Sequence, residues 1–317
     1  MNVVNVVPMP MRNLDAASEP IGHQTVLMDE AVAALAPRPG HLYVDATLGL
    51  GGHTEALLER GATVLGVDRD EQALGLATER LRRFGDRFIA RHGTFGDLAE
   101  ILARSSITRV DGILADIGVS SIQLDQAERG LSFRREGPLD MRMDQDNGET
   151  ALDLIERSSD DELANIIYRF GEERRSRRVA KCIRQAFAAG DLKTTLDLRR
   201  AIVKAVGPAR VGGVDPATRT FQALRIAVND ELGELEKLLA SAHDVLTDGG
   251  VLAVISFHSL EDRMVKRAFQ DRERWTAQTK KPIIAGDLEQ TDNPRARSAK
   301  LRAAHKGPYV FREESLS

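Results

Sequence analysis

The chain of 317 residues is 42% hydrophobic with a formal net charge of −4. That is apolar content enough for one large or two ordinary domains, and it excludes a polycation, so any nucleic-acid contact has to come from local basic patches. The one cysteine, Cys182, excludes an internal disulfide and a multi-cysteine zinc site; with no apolar run long enough for a membrane span, a cytoplasmic protein with no membrane contact is expected.

Residues 1–22, with Pro8, Pro10 and Pro20, read as a flexible arm; Asn5 and Pro8 interrupt the early valines, so no signal peptide is expected. From there strand and helix alternate. Residues 42–46 form a first strand, and a helix starts at Thr54. Residues 63–67 form a second strand ending in Asp68. Leu74, Ala77, Leu81 and Phe84 place a helix over 71–84. Strands follow at 88–92 and 110–115, the latter ending in Asp116, with a short helix at 97–104 between them. This alternation predicts an α/β fold, a parallel sheet with helices on both faces. Residues 125–213 break the pattern and read as loop plus helices at 151–156, 160–170, 176–189 and 195–206. The sheet pattern then resumes. A long amphipathic run covers 218–246, with Phe221, Leu224, Val228, Leu232, Leu235 and Leu239 on one face. Gly249-Gly250 stops it, a fifth strand covers 251–256 and a helix 259–269. Residues 280–297 read as a loop, and 299–304 and 309–312 as closing strands. The organisation expected is one discontinuous domain, 23–124 and 214–317, carrying an inserted helical domain at 125–213.

In an open parallel sheet, ligands bind beyond the carboxyl ends of the strands. Strand one runs into Asp45 and a glycine-rich turn, Gly49-Leu50-Gly51-Gly52, that lets backbone approach a ligand at a helix start. A dinucleotide fingerprint would need a third glycine where Thr54 stands. A carboxylate at this strand end suits a cationic amine or sulfonium, such as S-adenosylmethionine, better than a pyrophosphate. Asp68 either grips ribose hydroxyls or caps the helix starting near Glu71; the glycine turn beside it favours ribose. Phe95 flanks an adenine ring or packs in the core. Asp116 opens Asp-Ile-Gly-Val-Ser-Ser-Ile-Gln, where Ser120, Ser121 and Gln123 add polar groups. His258 is a base or a structural residue; no second histidine at i+4 supports a metal site, and no metal is expected. Arginines gather at Arg129, Arg134, Arg135 and Arg142, at Arg174, Arg175, Arg177 and Arg178, and at Arg199, Arg200, Arg210, Arg219 and Arg225. This reads as a polyanion footprint set against the alternative of a solvated helix face.

Several blocks resemble one family closely, the bacterial 16S rRNA cytosine-N4 methyltransferases (the RsmH/MraW type). They are His23-Gln-Thr-Val-Leu, Asp45-Ala-Thr-Leu-Gly-Leu-Gly-Gly-His-Thr, Gly66-Val-Asp-Arg-Asp, and Asp111-Gly-Ile-Leu-Ala-Asp-Ile-Gly-Val-Ser-Ser. Glu128-Arg-Gly-Leu-Ser-Phe-Arg, Gly137-Pro-Leu-Asp-Met-Arg-Met-Asp and Gly171-Glu-Glu-Arg follow. Pro216-Ala-Thr-Arg-Thr-Phe-Gln-Ala-Leu-Arg, Ile255-Ser-Phe-His-Ser-Leu-Glu-Asp-Arg and Asn293-Pro-Arg-Ala-Arg-Ser complete the set. The resemblance implies a Rossmann-like class I methyltransferase sheet with an inserted helical domain, S-adenosylmethionine as donor, and a cytidine of the small ribosomal subunit near the decoding centre as acceptor. On that pattern Gly51, Gly52 and His53 hold the methionine part, Asp68 the ribose, and Phe95 lies by the adenine, while Asp116 and Gln123 complete the pocket. Thr25, Leu50, Ile122 and Asp215 depart from the commoner Pro, Arg, Pro and His.

The amine of cytosine is a poor nucleophile because its lone pair is delocalised into the ring. An acceptor aimed at its N–H helps it rehybridise. Asp116 is the expected acceptor, with His258 and Asp140 in reserve. Arg134, Arg135, Arg142 and Arg219 are the expected RNA contacts. A DNA amino-methyltransferase and a non-catalytic RNA-binding assembly factor are the rival readings, and a homodimer stays open.

Overall fold

The computed structural model describes residues 25–208 and 214–307. The arm at 1–22, His23, Arg210 and the strand expected at 309–312 lie outside the described residues.

In chain order the first half runs α1 (Met28–Leu35), β1 (Leu42–Asp45), α2 (Gly52–Glu59), β2 (Thr63–Asp68), α3 (Glu71–Leu81), β3 (Phe88–His92), α4 (Leu98–Arg104), β4 (Val110–Asp116) and α5 (Ser121–Asp125). Four helices follow: α6 (Ala151–Arg157), α7 (Asp160–Gly171), α8 (Ser176–Ala188) and α9 (Thr195–Val206). Then come α10 (Thr218–Asn229), α11 (Glu231–Val245), β5 (Leu246–Ser256), α12 (Ser259–Ala268), β6 (Trp275–Ala277), α13 (Asp287–Asp292) and β7 (Lys300–Lys306). The seven strands form one sheet in the order β3-β2-β1-β4-β5-β7-β6. β1 to β5 are parallel, and β7 runs antiparallel between β5 and β6.

The strands are continuous apolar runs because helices cover both faces. Along β5, Val251, Ala253 and Ile255 enter a core shared with Leu35, Leu57 and Leu81. Leu252 and Val254 enter the opposite core, shared with Leu98, Leu102, Leu235 and Val265. Burying each such leucine contributes about 2–3 kcal/mol. A third core belongs to the helical half, with Leu154, Leu163, Ile167, Val179, Ile183, Leu198 and Ile202. Capping boxes at Thr150, Ser159 and Thr194 start α6, α7 and α9; each cap stabilises its helix by about 1 kcal/mol.

Three expectations differ from the structure. The run at 218–246 is two helices, because Asp230 takes a left-handed conformation (φ 47°) between them. Asn229 holds that corner: its side chain accepts from the Met143 amide at 2.7 Å and donates to the Met141 carbonyl at 2.8 Å. Phe221 and Leu224 of α10 therefore join the helical core, whereas Leu235 and Leu239 of α11 join the sheet core. The loop expected at 280–297 contains α13 and a 3-10 turn, Pro294–Ser298, capped by Asn293. The short strand β6 was not anticipated, and β5 begins at Leu246 rather than after the glycine pair.

Asp70 ties the two halves together. Its carboxylate caps α3 by accepting from the Gln72 and Ala73 amides. It also accepts from Gln123 Nε2 at 2.8 Å and pairs with Arg129 at 2.9 Å, with both charged side chains buried.

Candidate active site

A cavity opens where β1, β2, β4 and β5 end. Its walls include Thr47, Gly49, Gly52, His53, Asp68, Phe95, Asp116, Gln123, Phe257 and Arg295. The glycine turn forms one side. Gly49 and Gly51 have φ of 50° and 78°, which side-chain-bearing residues rarely adopt. The turn is fastened to β2, since the Gly49 amide donates to Asp68 Oδ2 at 2.7 Å and the Leu48 amide to the Val67 carbonyl at 2.8 Å. A Cβ on Gly52 would sit 2.1 Å from Thr25 Oγ1, and one on Gly51 would sit 2.8 Å from Leu81 Cδ1. Gly51 thus faces the α3 packing and shapes the turn from behind rather than lining the cavity.

The acids at the strand ends divide into distinct tasks. Asp45 is 1% exposed and does not line the cavity. It accepts from Thr54 Oγ1 at 2.7 Å and from the Thr47 amide at 3.3 Å, so it clamps the start of α2 to the end of β1. Burial pushes its carboxyl up to about 6, with the Thr54 hydroxyl opposing the shift. The cation-facing position read from the sequence is therefore filled by backbone and hydroxyl donors. Asp68 does line the cavity. Its two oxygens each accept one amide, from Gly49 and from Asp70 at 2.9 Å, which leaves acceptor sites free on both. Burial raises its pKa. Because Asp70 caps α3, Asp68 is released from that structural alternative.

Asp116 is the strand-end acid with a buried oxygen left unpartnered. Its amide donates to Thr47 Oγ1 at 2.6 Å, but Oδ1 is buried and has no hydrogen-bond partner among the described residues. Burial pushes its carboxyl up to about 7, with the Arg295 guanidinium opposing and the Asp45 and Glu261 charges adding to the rise. Arg295 donates to the Val119 carbonyl and lies over the Phe257 ring at 5.8 Å. Neither Arg295 nor Phe257 was singled out as a site residue from sequence, although both stand in blocks that carry the family resemblance.

The remaining candidates are more constrained. His53 Nε2 is 3.1 Å from the Val26 carbonyl. Phe95 is half-buried on the cavity wall beside Gly93 and Thr94. Gln123 closes a capping box with Ser120 and donates to Asp70, so it braces the wall. His258 caps α12, and its Nε2 is 3.0 Å from Glu261 Oε1. Its Nδ1 caps the helix start, while the residue lines the groove beside the cavity and its buried Nε2 has no hydrogen-bond partner among the described residues. Glu231, His258 and Glu261 have donor atoms within 4.8 Å of one another. Arg225 pairs with Glu231 at 2.7 Å, and the Phe257 amide donates to Glu261 at 2.9 Å, which makes the cluster an ion-pair network. Asp140 is bound by Arg142 through two contacts of 2.8 Å and does not line the cavity.

A wide groove meets the cavity at Val119, Phe257 and Arg295, and Phe133, Arg134, Phe221 and Arg225 line it. Arg134 is exposed there. Arg135 donates to the Asp125 carbonyl at 3.0 Å, and Arg219 is 4.0 Å from Glu173. A sequence profile of the MraW methylase family matches residues 20–307. The chain belongs to the MraW methylase family. "Ribosomal RNA small subunit methyltransferase H" of Sorangium cellulosum is 63% identical over 307 residues, covering 96% of this chain and 98% of that protein. Proteins of the same name from Deinococcus radiodurans and Synechocystis sp. are 51% identical over 298 residues and 52% identical over 289 residues. These matches cover 94% and 90% of this chain, and 94% and 93% of those proteins. In this MraW methylase, Leu50 is buried on the cavity wall and Asp215 pairs with Arg199 at 2.9 Å. These two of the four positions that depart from the common pattern are thus absorbed by local packing or charge.

Proposed function

We propose that this methylase transfers a methyl group from S-adenosylmethionine to the exocyclic N4 of a cytidine in 16S rRNA of the small ribosomal subunit, near the decoding centre. The observation that carries the reading is Asp116. A buried carboxylate oxygen without a partner, on the wall of a cavity that meets a wide groove, is an acceptor waiting for an N–H. The name shared by the relatives supports small-subunit rRNA as the source of that N–H. A ribosomal acceptor places the reaction in the cytoplasm.

The cavity fits the donor. Asp68 has free acceptor sites for ribose hydroxyls, Phe95 offers a ring face to adenine, and Gly52 and His53 border the place for the methionine part. Bound there, S-adenosylmethionine supplies an electrophilic methyl on a sulfonium centre. Asp116 Oδ1 accepts the amine N–H, draws the nitrogen lone pair out of conjugation and takes the proton as charge develops. Holding the base at that oxygen also fixes its approach, and alignment of this kind supplies much of the acceleration in group transfer. The base has to leave its stack to reach Asp116, so the groove accommodates an extruded nucleotide.

The test is to incubate the protein with methyl-labelled donor and either small subunits, free 16S rRNA or duplex DNA, then digest and identify the nucleoside. The reading expects N4-methylcytidine in the small-subunit RNA. Label only in DNA, or on a different base atom, contradicts it.

A further inference from the structure

The helical half carries a charge pattern that the cavity does not explain. On α8, Ser176, Val179, Ala180 and Ile183 are buried. Arg177, Arg178 and Lys181 are exposed, and Arg174 is exposed in the turn before the helix. Positions 174, 177, 178 and 181 have the spacing of one helix face. No acid occurs between Arg174 and Gly190. Arg174, Arg177, Arg178 and Lys181 make no side-chain hydrogen bond or ion pair among the described residues.

This differs from most arginines elsewhere. Arg80 holds Glu55, Arg129 holds Asp70, Arg142 holds Asp140, Arg157 holds Glu149 and Arg225 holds Glu231. The two acids nearest the stripe are also engaged. Glu172 accepts from Ser259 Oγ at 2.7 Å and Arg263 at 3.1 Å, and Glu173 accepts from the Arg175 amide at 2.7 Å. The stripe also begins at the positive end of the helix dipole, where cations are disfavoured, and the first turn holds no acid. Charge is concentrated here against local stability, and no counterpart to it stands among the described residues.

We propose that this outward face of α8, with Arg174, is the docking surface for the phosphate backbone of the RNA substrate. The inference rests on the rRNA reading above. A stripe from 174 to 181 is about 10 Å long, too extended for one phosphate and suited to successive phosphates of a strand. Arginine forks match phosphate oxygens. Glu172, two residues before Arg174, holds this segment to Ser259 and Arg263 of α12, the helix that begins just after Phe257 and His258. Phosphate contacts set register and orientation, while the groove and Asp116 select the base. Of the four RNA contacts expected from sequence, Arg142 is held by Asp140 and Arg135 gives one donor to a backbone carbonyl, while Arg134 stays exposed in the groove; α8 adds phosphate contacts to these.

The test compares wild type with the triple variant Arg174→Ala, Arg177→Ala, Arg178→Ala, all at exposed positions. Affinity for purified small subunits is measured across a salt series, alongside thermal unfolding and affinity for S-adenosylmethionine. Loss of three phosphate contacts should weaken binding at least about tenfold and flatten the slope of log K against log salt by about 2. Donor affinity and melting temperature should stay unchanged. A triple Arg→Lys variant should keep most of the affinity. Unchanged affinity and slope in the Ala variant, with wild type active on subunits, overturns this surface alone. A wild type that neither binds nor methylates subunits overturns the rRNA reading and the surface with it.

Discussion

The cavity at the sheet edge and the face of α8 treat charge in opposite ways. At the strand ends Asp45 is held by Thr54 and each Asp68 oxygen by one amide, of Gly49 and Asp70, whereas Asp116 Oδ1 has no partner among the described residues. The exposed cations Arg177, Arg178 and Lys181 of α8 have no side-chain partner among the described residues. Chemistry needs one acceptor at one place, so its surroundings are satisfied and rigid. Docking on a polyanion needs charge at tolerant positions, so its groups are left long, exposed and unpaired. The difference separates where a base is modified from how the RNA is held.

The largest effect that would sharpen this contrast is at the joint between the halves. Asp70→Ala leaves Arg129 buried without its partner and should lower unfolding stability by about 3–5 kcal/mol, measured by denaturant titration. A loss below about 1 kcal/mol would mean that the halves are not coupled through this pair. Next, Asp68→Ala should weaken S-adenosylmethionine binding by about 10–100-fold, as expected for charged hydrogen bonds worth about 1.5–3 kcal/mol, with a smaller change in turnover of the saturated enzyme. Calorimetry showing unaltered donor affinity would remove Asp68 from the ribose site. The smallest effect is expected at Arg142, which is closed on Asp140: Arg142→Ala should change affinity for small subunits by less than about twofold. A drop as large as that expected for the α8 variant would erase the distinction between paired and unpaired arginines.

Much of the sheet is legible in the sequence because β1, β2 and β4 are apolar runs ending in an acid, as at Thr63–Asp68 and Val110–Asp116. The helices at 151–206 are legible from apolar residues at helical spacing, and α6, α7 and α9 also from their Thr or Ser caps. The break at Asp230 is not, because the apolar face continues through it from Phe221 to Leu239; periodicity gives a face but not which body the face meets. β6 is three residues long and takes its order from pairing with β7. In the site, residue types were readable and directions were not. Asp45, Gln123 and His258 carry suitable groups but point them at Thr54, Asp70 and Glu261. Arg295 reaches the Asp116 neighbourhood from 179 positions away in the chain, a proximity that only folding creates. Which arginines are free is likewise a property of the neighbours, not of the local sequence.

The raised pKa of Asp116 also fixes two pH dependences. Its ionised form is the acceptor, so the rate below about pH 7 should rise about tenfold per unit and level off above it. In stability the sign is reversed. Between about pH 4 and pH 7 the folded chain binds a proton at Asp116 that the unfolded chain has released, so this group's contribution to stability falls as pH rises through that window.

Asp116→Asn, assayed for both donor binding and methyl transfer to small subunits, tests the central assignment most directly. The amide keeps the shape of the carboxylate but cannot take the proton. Donor affinity should stay within a few-fold of wild type, while methyl transfer should fall by about 10²–10⁴-fold and lose its rise toward pH 7. A variant that binds the donor normally and still transfers methyl at near the wild-type rate would show that Asp116 is not the amine acceptor.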